Sequence, residues 1–147
     1  MNANKQTNLE KTRVQMEYVA PLVRDLQDLL GNEVVNTAPA KRAEPRKRAP
    51  GLKADFCRMQ AGTDSLAAGQ ALDYEVITSD GNQFNMDVSA CAYSRMMSAL
   101  IPRDIVHLLT CNLDFPPAVK LGMTSQRTQT KMQSESFCDF RDRRNSS

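Results

Sequence analysis

The chain has 147 residues, of which 41% are hydrophobic and 24% are charged, and its formal net charge is +2. This length fits a single domain spanning 1–147 with its own core. The small net charge gives no argument for a nucleic-acid partner. No apolar run is long enough to span a membrane. The polar start MNANKQTNLEK lacks the apolar core of a signal peptide, so we expect a cytoplasmic protein whose four cysteines are thiols, not disulfides.

The first predicted element is an N-terminal helix. Thr7 and Glu10 match the capping box T-x-x-E, and Gly31 is a typical helix stop. Pro21 should kink or restart the helix. Beyond that proline, helical spacing predicts one buried apolar stripe, formed by Leu22, Val23, Leu26, Leu29 and Leu30.

Two less regular segments follow. Residues 36–53 carry three prolines and six basic residues against one acid, which is typical of a solvated linker. A nuclear-targeting or anion-binding patch is the alternative for this segment. Residues 54–70 give a weak and irregular helical pattern, in which we expect Cys57 to be a small core residue.

A β-hairpin is predicted next. LDYEVITS and QFNMDVSA both alternate apolar and polar side chains, and the turn sequence SDGN lies between them. Two helices should come after it. CAYSRMMSAL should end before Pro102, and RDIVHLLTCNLDF, residues 103–115, should end at the diproline Pro116-Pro117. A second hairpin is predicted from MTSQRTQTKM and FCDFRDR on either side of QSES.

This order of elements predicts an α+β fold. It would have an N-terminal helix and two antiparallel β-hairpins that form a small sheet, covered on one side by helices. On the helix 103–115, His107, Cys111 and Asp114 are spaced i, i+4, i+7 and should form one polar stripe. That stripe fits either a catalytic or metal site, or a polar seam in an ordinary core.

Three segments, NMDVSACAY, LLTCNLDF and RTQTKMQSESFCDFR, resemble the L-2-amino-thiazoline-4-carboxylic acid hydrolase family. The resemblance covers a core of residues 72–143. Its most specific part is RTQT followed at a fixed distance by CDFR. The chain departs from the family pattern at Ala90, Arg95, Ser134 and Phe137, where the family often has arginine, an acidic residue, glycine and histidine.

The resemblance implies a small-molecule substrate and hydrolytic opening of a cyclic amidine, a thiazoline carboxylate, to N-carbamoyl cysteine. The altered positions keep a second reading open, in which a non-hydrolytic pocket protein of a biosynthetic pathway binds, cyclises or isomerises a ligand. The matching positions are Cys91, Cys111, Asp114, Arg127, Thr128, Cys138, Asp139 and Arg141. A homo-oligomer is compatible with either reading.

For a hydrolase, Cys111 is the candidate nucleophile and Cys91 the second, because a thiol at a helix start should have a lowered pKa. His107 would act as general acid–base, and Asp114 would orient it or pair with a cationic substrate. Arg127 and Arg141 would bind a substrate carboxylate, with Cys138 and Asp139 beside them. The alternatives are buried thiols and cross-strand ion pairs.

No cofactor is required for this chemistry. Three thiols and a histidine could form a tetrahedral zinc site, but the long spacings between the cysteines and the absence of a C-x-x-C pair make that pattern weak. The identity of any metal therefore stays open at the level of the sequence.

Overall fold

The computed structural model describes residues 7–42, 54–111 and 115–145. These residues form a sheet and a set of helices, which confirms the α+β class. The helices are α1 (Asn8–Leu30), α2 (Asn32–Arg42), α3 (Phe56–Ala68), α4 (Ala92–Leu100), α5 (Arg103–Leu109) and α6 (Phe115–Lys120). The strands are β1 (Leu72–Ser79), β2 (Gln83–Cys91), β3 (Met123–Gln126) and β4 (Cys138–Arg144), and a 3-10 helix spans Lys131–Gln133.

The four strands form one antiparallel sheet in the order β1-β2-β4-β3. The predicted first hairpin is confirmed, because β1 and β2 pair across the SDGN turn. The second pair of strands, β3 and β4, is also antiparallel, but residues 127–137 connect it through the 3-10 helix and not through a tight turn. This longer connection brings polar side chains of the R-T-Q-T segment over the start of β4.

Two groups of buried side chains form the core. One group lies where α3 and α6 meet one face of the sheet, and it includes Phe56, Phe84, Met86, Val88, Ala118, Met123 and Cys138. The other joins α1, α4, α5 and the 3-10 helix, and it includes Ala20, Val23, Met97, Ile101, Ile105, Val106 and Met132. Within the described ranges, no helix combines the length and the apolar character that crossing a membrane requires.

Helix α1 begins and ends as its sequence predicts, but it buries a different side. The Thr7–Glu10 capping box is present, and Gly31 ends the helix with φ of 86°. The helix runs on through Pro21 without a restart. Of the predicted buried stripe only Val23 is buried, since α1 contacts the core through Val23 and its neighbours Ala20 and Gln27. The four leucines, Leu22, Leu26, Leu29 and Leu30, are exposed.

The segments on either side of residues 43–53 also differ from expectation. Residues 36–42, predicted to be linker, belong to α2, and residues 43–53 lie outside the described part. Residues 56–68 form the regular helix α3, which begins where the Asp55 carboxylate accepts a hydrogen bond from the Arg58 amide. Cys57 is exposed on that helix and is not a core residue.

The predicted helix 103–115 is wrong in its extent. Helix α5 ends at Leu109, and Thr110 follows with φ of −130° and ψ of −78°. The diproline does not end a helix but lies in the first turn of α6, which begins at Phe115. Proline is compatible with a first turn because the amides there need no partner within the helix. Cys111 therefore follows a helix end and does not share a helical face with His107, and Asp114, the third residue of the predicted stripe, lies outside the described residues.

Candidate functional site

Two of the predicted site thiols meet at one hydroxyl group. Thr130 Oγ1 lies 3.2 Å from Cys111 Sγ and 3.7 Å from Cys138 Sγ. Cys111 comes from the segment after α5, and Cys138 is the first residue of β4. Thr130 and Cys138 are buried, whereas Cys111 is half-buried. We call Cys111, Thr130 and Cys138 the thiol–hydroxyl cluster.

When both thiols are protonated, the hydrogen bonds of the cluster can all be satisfied in one direction. A threonine hydroxyl has one proton to donate and two lone pairs to accept with. Thr130 Oγ1 accepts from the Met132 amide at 3.3 Å and from the Cys138 thiol. Both lone pairs are then used, so the hydroxyl proton points to Cys111 Sγ. The Lys131 amide in turn donates to Cys138 Sγ at 3.3 Å.

The same contacts allow the opposite direction. If Cys138 is ionised, the Thr130 hydroxyl can donate to it while the Cys111 thiol donates to Thr130. One proton can then reside on either sulfur, and the hydroxyl lies between the two. In both arrangements each sulfur has a hydrogen-bond partner within the cluster or at the Lys131 amide.

Cys91 lies near this cluster but in a different electrostatic setting. It is the N-cap of α4, where its sulfur accepts from the Ser94 amide at 3.3 Å. Burial raises the pKa of the Cys91 thiol, and the neighbouring thiols of Cys138 and Cys111 raise it further. The hydrogen bond from Ser94 only partly opposes this. The expectation of a lowered pKa at this helix start is therefore wrong, because desolvation outweighs the helix end.

Arg127 brings a positive charge to Cys111. Its guanidinium donates to the Cys111 carbonyl oxygen at 3.0 Å and lies over the Phe140 ring, 3.9 Å from the ring centre. Stacking on an aromatic face restricts the guanidinium plane. Arg127 is thus fixed beside the backbone of Cys111.

Asp139 holds the segment that carries Thr130. Its carboxylate accepts from the amides of Thr128 and Gln129 at 2.8 and 2.6 Å, and from the Thr128 hydroxyl at 2.7 Å. Burial alone would raise the pKa of Asp139, but these hydrogen bonds outweigh it and lower the pKa below its ordinary value. The geometry thus engages Asp139 in holding the R-T-Q-T segment in place.

Arg141 is directed away from Arg127. Successive side chains of a strand point to opposite faces, and Arg127 stacks on Phe140, the residue before Arg141. Arg141 pairs with Asp87 of β2 at 2.7 Å and also donates to the Met86 carbonyl. The two arginines therefore do not converge on one ligand. The cross-strand partner of Arg141 is Asp87, not Asp139 or Glu135.

The remaining predicted residues are not joined to the cluster by any described contact. His107 lies on α5, and its buried Nδ1 atom has no hydrogen-bond partner among the described residues. Asp114 falls outside the part of the chain that the structure describes. Within that part, no three side chains of histidine, cysteine, aspartate or glutamate form a group that could hold a metal ion.

Thr130 is the residue that sequence reasoning missed. The sequence carries a signal for it, because Thr130 is the second threonine of R-T-x-T, the motif on which the family resemblance rests most. The first threonine, Thr128, binds Asp139 and the second binds Cys138 and Cys111. The two halves of the motif, R-T-x-T and C-D, are therefore hydrogen-bonded to one another.

Comparisons with known proteins give one family. The profile of a family described as L-2-amino-thiazoline-4-carboxylic acid hydrolase matches residues 15–141. No curated protein matches the chain. Among solved structures, the chain is similar to the crystal structure of the phenol-responsive sensory domain of the transcription activator PoxR with phenol. That match has 11% sequence identity and a TM-score of 0.46, and it covers 88% of this chain and 74% of the other.

Proposed function

Because this chain belongs to the L-2-amino-thiazoline-4-carboxylic acid hydrolase family, we propose that it is a thiol-dependent hydrolase of a small cyclic amidine that carries a carboxylate. The observation that supports this proposal most is the hydroxyl of Thr130 between the sulfurs of Cys111 and Cys138. Nucleophilic catalysis needs a thiolate that can form, attack and regain its proton without help from bulk solvent. Two thiols that share one proton through a hydroxyl meet that requirement.

Cys111 is the nucleophile of the proposed reaction. Its thiolate attacks the amidine carbon of the ring, and the ring carbon–sulfur bond breaks. The ring sulfur leaves as a thiol after taking up one proton, and the substrate carbon is then bonded to Cys111 Sγ as an isothiourea. Water adds to that carbon, Cys111 Sγ leaves, and the product is a carbamoyl amine. The net reaction consumes one water.

The proton required by the first step comes through Thr130. With Cys138 ionised, the Cys111 thiol passes its proton to Thr130 Oγ1, and Thr130 passes its own proton to Cys138 Sγ. Cys138 holds the proton while Cys111 attacks, and gives it to the ring sulfur as the carbon–sulfur bond breaks. When water adds in the second step, one of its protons goes to the substrate nitrogen and the other goes to Cys111 Sγ as it leaves. Proton transfer by a positioned group of this kind contributes roughly 10²–10⁴-fold to rate.

Arg127 is the proposed anchor for the substrate carboxylate. Its guanidinium is held beside Cys111 by the Phe140 ring and the Cys111 carbonyl. A guanidinium matches the geometry of a carboxylate. Asp114, three residues beyond Cys111 in the chain, stays our candidate for the counter-charge of the amidinium. Arg141 is not proposed as a ligand contact, because Asp87 engages it.

Turnover of L-2-amino-thiazoline-4-carboxylate tests the proposal. The expected product, N-carbamoyl cysteine, has a free thiol that can be followed by thiol titration or by mass. Cys111→Ser should lower kcat at least about 10³-fold, since the two nucleophiles differ strongly in reactivity at neutral pH. Cys57→Ser is the matched control, because Cys57 is exposed on α3 and that variant should keep full activity. Full turnover by Cys111→Ser would refute the mechanism.

A second candidate function is non-hydrolytic ligand binding. It is favoured by the raised pKa of Cys91, which keeps that thiol protonated, and by the hydrogen bonds that engage both oxygens of the Asp139 carboxylate. The same substrate distinguishes the two. A binding protein would show saturable binding by calorimetry with no product after prolonged incubation, and Cys111→Ser would bind as well as the wild type.

A further inference from the structure

Helix α1 carries a second apolar stripe that does not contact the core. Ala20, Val23 and Gln27 occupy the buried side of the helix. On the opposite side, apolar residues recur at spacings of three and four, and the stripe consists of Val14, Tyr18, Leu22, Leu26 and Leu29. Tyr18 is 84% exposed and Leu29 is 79% exposed. Leu30 and Val34 extend this exposed surface to the start of α2. We call these seven residues the α1 stripe.

Such a contiguous row of exposed apolar side chains needs an explanation. Exposed apolar residues are ordinary when scattered, but a contiguous row along one helix face marks an interaction surface. Helix formation does not account for the row either, because the opposite side of the helix already supplies the contacts that hold α1 in place. Polar residues would serve the exposed side equally well in a helix with no partner there.

We propose that the α1 stripe is the interface of a weak homodimer in which two α1 helices pack antiparallel about a two-fold axis. If the two-fold axis crosses α1 between Tyr18 and Leu22, Tyr18 of one chain contacts Leu22 of the second, and Leu22 of the first contacts Tyr18 of the second. Val14 of one chain then meets Leu26 of the second. A two-fold interface must be complementary to itself. The α1 stripe meets this condition, because apolar residues of one copy meet apolar residues of the other across the axis.

Charge at the edges of the stripe selects the antiparallel direction. Lys11 is exposed at the N-terminal end, and Asp25 and Asp28 are exposed near the C-terminal end. In the antiparallel pair, Lys11 of one chain lies next to Asp25 and Asp28 of the other. In a parallel pair the two Lys11 side chains would face each other, as would the two Asp25 side chains. Like charges at such a seam are unfavourable, and opposite charges set the orientation.

The area fits a weak dimer. If each of the six stripe side chains that belong to α1 loses roughly 80 Å² of accessible surface in each copy, the pair buries about 1,000 Å², below the usual range for stable, specific interfaces. We therefore expect a dissociation constant in the micromolar range and a dimer that forms and separates with concentration.

Sedimentation velocity of the full chain at concentrations from about 1 to 300 μM tests this inference. The wild type should shift from monomer to dimer over that range. Leu22→Glu places two charges at the centre of the interface and should raise the dissociation constant at least about tenfold. Ile77→Glu is the matched control, because Ile77 is exposed on β1 to nearly the same extent, 51% against 55% for Leu22, and it lies outside the stripe.

A charge exchange tests the direction. Lys11→Glu should weaken the dimer, and the double variant Lys11→Glu with Asp25→Lys should recover part of the loss. Circular dichroism of each variant shows whether the helices are retained. A wild type that stays monomeric at 300 μM would overturn the inference and assign the stripe to a different partner. Equal effects of Leu22→Glu and Ile77→Glu would overturn it as well.

Discussion

Replacing Asp139 by asparagine should loosen the segment that carries Thr130 while keeping the size of the side chain. Asp139 accepts three hydrogen bonds from Thr128 and Gln129, all between 2.6 and 2.8 Å, and is only 7% exposed. Hydrogen bonds to a charged acceptor contribute about 1.5–3 kcal/mol each, against about 0.5–1.5 kcal/mol for neutral ones. Asparagine can keep its oxygen on both amides. We therefore expect Asp139→Asn to lower the free energy of unfolding by about 2–3 kcal/mol.

Urea denaturation as a function of pH is the assay. Since the pKa of Asp139 is lowered in the folded protein, its ionised form stabilises the fold above the unfolded pKa of about 3.9. That contribution is lost as the pH falls through the lower, folded-state pKa. On acidification below about pH 4 the wild type should therefore lose stability more steeply than Asp139→Asn. The control Asp73→Asn, at an exposed position of β1, should match the wild type. Parallel curves for wild type and Asp139→Asn, less than 0.5 kcal/mol apart, would refute the reasoning.

Three further predictions concern single side chains. Thr130→Val should lower turnover of the thiazoline at least about 30-fold, whereas Thr130→Ser, which keeps the hydroxyl, should stay within about threefold. Ser134→Gly should be nearly neutral in the wild type and stabilise an Arg103→Ala background by about 1 kcal/mol in denaturation, because Ser134 has φ of 73° and its hydroxyl accepts from Arg103 at 2.9 Å. Tyr74→Phe should lose less stability than the wild type as the pH rises above 10. A hydrogen bond to Asp64 raises the pKa of Tyr74 to about 12 in the folded protein. The stability that this hydrogen bond contributes below the unfolded pKa of about 10 is therefore lost as the pH rises through the folded pKa. An unchanged alkaline limb in Tyr74→Phe would count against that assignment.

The sequence predicts correctly those elements whose determining residues all lie within a few positions of one another. The β1–β2 hairpin begins at the predicted Leu72 and turns at SDGN, because strict alternation and a turn sequence act within a few residues of each other. The start of α1 at Thr7 is of the same kind, since both partners of the capping box lie within one turn. No distant contact is needed to fix either feature.

The errors arise where distant contacts decide. Helical periodicity could not tell which of two apolar sides of α1 would face α4, and it selected the side of Leu22 instead of the side of Ala20. Likewise, the apolar run after Arg103 continues past Thr110, but the Thr110 hydroxyl bonds the Val106 carbonyl at 2.8 Å and contacts Met132 of the 3-10 helix. The chain leaves the helix there and carries Cys111 towards Thr130.

The candidate site was predictable in part, because the motif named most of its residues but not their partners. R-T-x-T and C-D-F-R stand 11 positions apart in the chain, and a pattern of letters does not show that Thr128 would bind Asp139 while Thr130 binds Cys138. Because side chains alternate between the two faces of β4, the predicted substrate-binding residues of this strand do not lie on one face. Arg141 and Asp139 turn to one face, and Cys138 turns to the other with the stacked Phe140.

The same structure bears on the positions at which the chain departs from its family. Arg95, where the family often has an acidic residue, is exposed on α4, whereas Ser94 beside it is buried and bonds Cys91. Ser134, where the family has glycine, keeps the left-handed backbone that glycine favours and gains a hydrogen bond from Arg103. Neither residue contacts the thiol–hydroxyl cluster in any described hydrogen bond. These two substitutions therefore leave the three groups of the cluster intact, which is compatible with the thiol chemistry that we propose.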